Sequence, residues 1–157
     1  MPIVNVKLSP KKLAPFGKKA LAAAMFQKGA HFVGASILLR QKSGFHDVVL
    51  HLLAQGFEVM QKGLLLARDY DTFRPQLRKL GHDLVRGADA LHSAYKLKPM
   101  KKNLREELQA LSDHYRDHKL RYAGIQDLLG LPTRELKADL VLRQATALML
   151  LARRVFK

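Results

Sequence analysis

Along most of the chain, apolar residues return every three or four positions, the period of a helix packed on one side. From about residue 16 an alanine-rich run keeps this period as far as Lys42-Ser43-Gly44, a cluster that breaks helices. The pattern resumes over residues 45–68. Residues 69–76, with Pro75 among them, read as a connection. A third helix is expected from about residue 80 to residue 95, closed by Lys98-Pro99. Leu104, Leu108, Leu111 and Tyr115 mark a fourth over residues 101–122. Residues 124–132, with Gly130 and Pro132, form a second break, and residues 133–156 complete the set. On that last helix Leu136, Leu140, Ala147, Leu148, Leu151 and Val155 are expected to face inward. Nowhere do β-branched residues alternate over the length of a strand. The pattern therefore predicts an all-α protein, an antiparallel up-and-down bundle of about five helices. Residues 1–15, with Pro2, Pro10 and Pro15, read as an irregular basic arm, and residues 16–157 as one bundle domain.

The second helix carries two distinct faces. On a helical wheel Leu52, Gly56, Val59, Met60, Gly63 and Ala67 share a sector about 100° wide. Its two glycines, Gly56 and Gly63, would let a neighbouring helix come close. Beside this sector stand His51, Gln55, Glu58 and Lys62, a polar stripe about 60° wide. Glu58 and Lys62 are an i,i+4 pair in the favourable order. An exposed boundary would explain the stripe; if buried, its members must satisfy one another and could order a neighbouring helix or a ligand.

Composition narrows the class. The 157 residues suit one domain, and the 48% hydrophobic content excludes a disordered basic tail. No cysteine is present, so disulfide scaffolds and thiolate metal sites are excluded and a reducing compartment is expected. The longest apolar stretches fall well short of the roughly 20 residues a spanning helix needs, so the chain reads as soluble and cytoplasmic. The net charge is +15, which points to an anionic partner. It is unevenly placed. The first acidic residue is Asp47, and before it stand Lys7, Lys11, Lys12, Lys18, Lys19, Lys28, Arg40 and Lys42. Lys96, Lys98, Lys101, Lys102 and Arg105 form a second acid-free cluster. A solvated surface or a phosphate-attracting one would both look like this, and only the second predicts binding that weakens steeply with salt.

Other chemistry is thinly supported. His114 and His118 have a zinc-chelating spacing but lack a third ligand, so no metal and no cofactor is expected. Glycine-rich phosphate loops and nucleophile elbows are absent from the sequence.

The run Gln55-Gly-Phe-Glu58-Val-Met-Gln-Lys62-Gly-Leu-Leu-Leu66 resembles the second-helix signature of HEPN domains (higher eukaryotes and prokaryotes nucleotide-binding). Leu80-Gly81-His82-Asp83-Leu84 is similar to that family's entry to its third helix. Leu111, Tyr115, Arg121 and Tyr122 resemble the end of its fourth. These pieces stand in the family's order over about residues 20–125. The resemblance implies a helical bundle, often a homodimer, that binds nucleotides or RNA and works beside a minimal nucleotidyltransferase in toxin–antitoxin or substrate-presenting roles. It implies nucleotide-binding positions at Gln55, Glu58, Lys62, His82, Tyr115, Arg121 and Tyr122. Lys62, Arg121 and His82 would meet phosphates, Glu58 would orient Lys62, and Tyr115 or Tyr122 would stack on a base. Lys18, Lys19, Lys28, Arg40, Lys42, Lys96, Lys98, Lys101, Lys102 and Arg105 would supply the basic surface.

One departure matters. Ribonuclease members of the family carry an Arg followed closely by a His late in the bundle, where this chain reverses the order, with His114 and His118 before Arg121. Arg40…His46 and Arg86…His92 have the spacing, but chance placement gives about as many such pairs. A binding domain is therefore preferred to an enzyme. The rival readings are a metal-independent dimeric ribonuclease toxin and a non-catalytic adaptor that docks another protein.

Overall fold

A computed structural model describes residues 13–117 and 136–157. Among them are six helices and no strand: α1 (Pro15–Gln41), α2 (His46–Arg68), α3 (Tyr70–Leu80), α4 (Leu84–Ala94), α5 (Lys102–Arg116) and α6 (Asp139–Val155). The fold is an all-α bundle, as the hydrophobic period predicts. Among the described residues no helix is long and apolar enough to cross a membrane.

The organising element is α2, which packs against each of the other five helices and most extensively against α1. Its buried residues therefore run nearly all the way round, from Val49, Leu50 and Leu53 to Phe57, Met60, Leu64 and Leu65. α1 and α2 form an antiparallel hairpin whose seam is made by glycines. A Cβ on Gly29 would lie 2.6 Å from the Met60 amide nitrogen and 2.7 Å from the Gly56 carbonyl oxygen. One on Gly56 would lie 2.7 Å from the Gly29 oxygen, and one on Gly63 would lie 2.7 Å from the Phe26 nitrogen. The close approach expected from Gly56 and Gly63 is present, and Gly29 completes it.

The hairpin turn follows from a helix-ending motif. The Gly44 amide bonds the Leu39 carbonyl at 2.9 Å and the Ser43 amide bonds the Arg40 carbonyl at 3.2 Å. This pairing needs a left-handed residue between helix end and Gly44, and Ser43 supplies it at φ 54°.

Two expectations need correction. Residues 70–80 are helix, not connection, despite Pro75. Asp69 caps this helix by accepting from the Thr72 amide at 3.0 Å and from its hydroxyl at 2.8 Å. Tyr70, Phe73, Leu77 and Leu80 then recur at helical spacing and pack on the core. Their burial outweighs the single backbone hydrogen bond that Pro75 removes. On the last helix the inward face is Val141, Ala145, Leu148 and Ala152. Of the residues expected there, Ala147 is exposed and Leu140 only half-buried, a rotation of about one residue. Asp139, Arg143, Thr146, Arg153 and Arg154 share the opposite side and mark the outer face. The third and fourth helices hold with shorter bounds, as α4 and α5, and the expected continuation of the latter past residue 117 lies outside the described residues. So do the arm over residues 1–12 and the break at 124–132.

Candidate functional site

The polar stripe of α2 folds inward at Glu58. This glutamate is only 7% exposed, at a point where α2 faces both the α3–α4 junction and α5. Three side chains converge on its carboxylate. Lys62, one turn on, donates to Oε1 at 2.5 Å. The Tyr115 hydroxyl, from α5, donates to Oε2 at 2.7 Å. His82, between α3 and α4, lies 3.0 Å from the same oxygen through Nδ1. A carboxylate here can only accept, so the Nδ1–H tautomer of His82 fits this bond.

Burial acts to raise the Glu58 pKa, but the hydrogen bonds from Lys62, His82 and Tyr115 outweigh it and hold the carboxyl below its ordinary range. The group is thus an acceptor that holds three donors, one on Oε1 and two on Oε2.

Lys62 is equally committed. Besides Glu58 it donates to the Gly81 carbonyl at 2.8 Å. Gly81 presents that carbonyl with φ 57° and ψ −133°, a conformation open to glycine alone. The Tyr115 ring stands between two histidines: His82 meets it edge-on with centroids 5.7 Å apart, and His51 is tilted against it at 5.6 Å. At 7% exposure Tyr115 offers no open ring face to a base. His82 is the outward member, its side chain 56% exposed.

Beneath this knot the first turn of α4 is closed by side chains. Asp83 accepts from the Val85 and Arg86 amides at 3.1 and 3.0 Å, the plain capping role its position suggests. Ser112 accepts from the Leu84 amide at 3.0 Å, and Gln61 donates to the Leu84 carbonyl at 3.2 Å. These amides are therefore not offered to an outside anion. Gln61 and Ser112, 2% and 0% exposed, were not anticipated from the sequence. The usable hint for Gln61 is Gly87, where a Cβ would lie 2.4 Å from the Gln61 Oε1.

The remaining site candidates are dispersed. Gln55 is half-buried and makes no hydrogen bond to the knot among the described residues. Arg121, Tyr122 and His118 lie outside those residues. His114 is occupied locally, its Nδ1 2.9 Å from the Ala110 carbonyl. No group of three potential metal ligands occurs among the described residues.

Half of the proposed basic surface is already engaged. Lys18 pairs with Asp71 at 2.6 Å and Arg40 with Asp139 at 2.9 Å. Arg105 forks onto Asp89 with two contacts of 2.7 Å, and this hydrogen bonding holds the Asp89 carboxyl below its usual range. Lys102 lies 3.8 Å from Glu106, and Lys19 bonds the Lys157 carbonyl at 3.0 Å. Lys28, Lys42, Lys96, Lys98 and Lys101 are exposed without a carboxylate partner among the described residues.

Of the two Arg…His pairs, Arg86…His92 is split, since His92 turns to the Lys98 carbonyl at 2.7 Å. Arg40 and His46 border a cleft of about 220 Å³ with Lys137, Asp139 and an apolar floor of Val49, Leu50 and Leu53. There His46 bonds the Leu136 carbonyl at 3.0 Å.

No family model, no curated protein and no solved structure matches this chain.

Proposed function

We propose that the protein is a helical module that binds RNA or nucleotides by their phosphates, through its outer cations and not through the Glu58 knot. The observation that carries this reading is the set of exposed cations without a carboxylate partner among the described residues. Lys96, Lys98 and Lys101 crowd the α4–α5 loop. Arg78, Lys79 and Arg86 stand on either side of His82. A net charge of +15 works against the compact state through self-repulsion. An anionic ligand offsets that repulsion.

On this reading the knot has a supporting task. Lys62 and Tyr115, bound to Glu58, fix the α3–α4 junction against α5, and so fix where His82 and its neighbouring arginines stand. His82, the exposed member, is the one within a ligand's reach. The resemblance to HEPN domains supports the same class of ligand and adds a minimal nucleotidyltransferase as protein partner. Ribonuclease chemistry is not part of the proposal, because Arg40 is paired with Asp139 and His92 is turned away from Arg86.

The test is a fluorescence-anisotropy titration of a labelled single-stranded RNA, and separately of an ATP analogue, across salt concentrations. The expected result is binding at about 50 mM salt that weakens by at least tenfold towards about 200 mM. No binding of either probe at the lower salt would refute it.

A further inference from the structure

The outward face of α1 is unlike the rest of the surface. Taking Phe16 as origin and 100° per residue, Phe16, Ala20, Ala24, Gln27, His31, Gly34 and Leu38 fall within a sector of about 80°. No charged residue of the helix enters that sector, in a protein of which 26% of residues are charged. Phe16 is 85% exposed and Leu38 63% exposed, and Leu21 at the margin is 45% exposed. From Phe16 to Leu38 the face extends for about 33 Å along this helix of 27 residues. It lies opposite the buried line of Ala22, Gly29 and Ser36 that meets the bundle.

Gly34 is the second oddity. Mid-helix glycine is unfavourable, and Gly29, Gly56 and Gly63 each have a backbone contact that requires it. A Cβ on Gly34 would meet nothing within 4 Å. Inside the protein, then, this glycine has no packing reason. A reason outside would be the close approach of another backbone.

We infer that the outer face of α1 is a docking surface for an amphipathic helix of a different, acidic protein. Charge chooses the occupant. Lys28, without a carboxylate partner among the described residues, borders this uncharged sector on one side, and Lys19, which bonds the Lys157 carbonyl at 3.0 Å, lies on the other. No acidic residue precedes Asp47. A second copy would bring two chains of +15 together. A helix with an apolar seam and glutamates along its edges meets both features, apolar on apolar and carboxylate on lysine. This goes beyond phosphate binding, which rests on Lys96, Lys98 and Lys101 and on the cations around His82.

The probe is a synthetic three-heptad peptide with Leu and Ala in its seam and Glu at both edges, compared with a scrambled peptide of the same composition. Anisotropy should give a dissociation constant in the micromolar range for the first and one at least tenfold weaker for the second. Phe16→Gln and Leu38→Gln, both at exposed positions, should weaken the designed peptide about tenfold while leaving the melting temperature and RNA binding unchanged. Gly34→Ala should weaken it too, although the variant melts higher. Lys28→Glu should weaken it, with binding restored by a peptide bearing Lys along the facing edge. Equal binding of designed and scrambled peptides, or indifference to Leu38→Gln, would overturn the inference. So would sedimentation of the protein alone as a dimer that Leu38→Gln dissociates, which would assign the face to a second copy.

Discussion

Replacing Glu58 with leucine should cost about 3 kcal/mol of stability, read as a fall in melting temperature, because it removes one partner of a largely buried pair. Lys62 and Glu58 keep only 15% and 10% of their side-chain surface exposed. Without the carboxylate, the Lys62 ammonium retains the Gly81 carbonyl but no counter-charge, and the Tyr115 hydroxyl loses its acceptor. Glu58→Gln is the gentler variant and isolates the charge. The folded protein holds this carboxyl below its ordinary range, whereas the unfolded chain titrates near about 4.3. The ionised form therefore contributes its full stability above about pH 4.3, and that contribution fades as pH falls through the lower folded value. The gap between wild type and Glu58→Gln should be widest at neutral pH and close on acidification. A gap that stayed constant down to about pH 3 would show that the charge does not stabilise the fold.

The second large effect sets two identical substitutions in one helix against each other. Gly29→Ala should destabilise by about 2 kcal/mol net, since its Cβ meets main-chain atoms of α2 that no side-chain rotation can move aside. Gly34→Ala, five residues on, should stabilise by about 0.5–1 kcal/mol, because there the only consequence inside the protein is better helix propensity. Thermal unfolding of both variants gives the answer. Shifts of the same sign would mean that α1 and α2 do not meet at Gly29 as described.

How much of this was readable beforehand depended on what each signal measures. The glycines of α2 pointed to a close helix, against the alternative of a merely tolerated pair, and their contacts with Gly29, Val33 and Phe26 decide for the first. Glu58 and Lys62 stood out as a polar pair on one helix, His82 and Tyr115 were named through the HEPN resemblance, and the structure brings these four together. That Tyr115 faces inward follows from its spacing with Leu104, Leu108 and Leu111. That its hydroxyl reaches Glu58, and that Lys62 is held by Glu58 and Gly81, depends on the packing of α5 and of the α3–α4 junction against α2. No periodicity along a single helix contains that. Gln61 and Ser112 were missed for the same reason: their partner is the Leu84 backbone, on a helix remote in sequence. The α3 error was avoidable. Asp69 followed by Thr72, then Tyr70, Phe73, Leu77 and Leu80 at helical spacing, is a capped amphipathic helix, and Pro75 alone was allowed to override it. The inward face of α6 was equally legible, since Asp139, Arg143, Thr146, Arg153 and Arg154 share a sector of about 100° opposite Val141, Ala145, Leu148 and Ala152.

The bulk charge likewise changed meaning. Ion pairs at Lys18, Arg40 and Arg105 remove part of the basic surface from play. What remains exposed without carboxylates among the described residues includes Lys96, Lys98 and Lys101 at the α4–α5 loop and Arg78, Lys79 and Arg86 around His82.

The central claim is therefore best tested at that loop. A Lys96→Glu, Lys98→Glu, Lys101→Glu triple variant changes three exposed side chains and should leave the melting temperature close to wild type. In the RNA titration it should bind at least tenfold more weakly at about 50 mM salt, with a salt slope reduced by about three. Binding and slope equal to those of wild type would contradict the account.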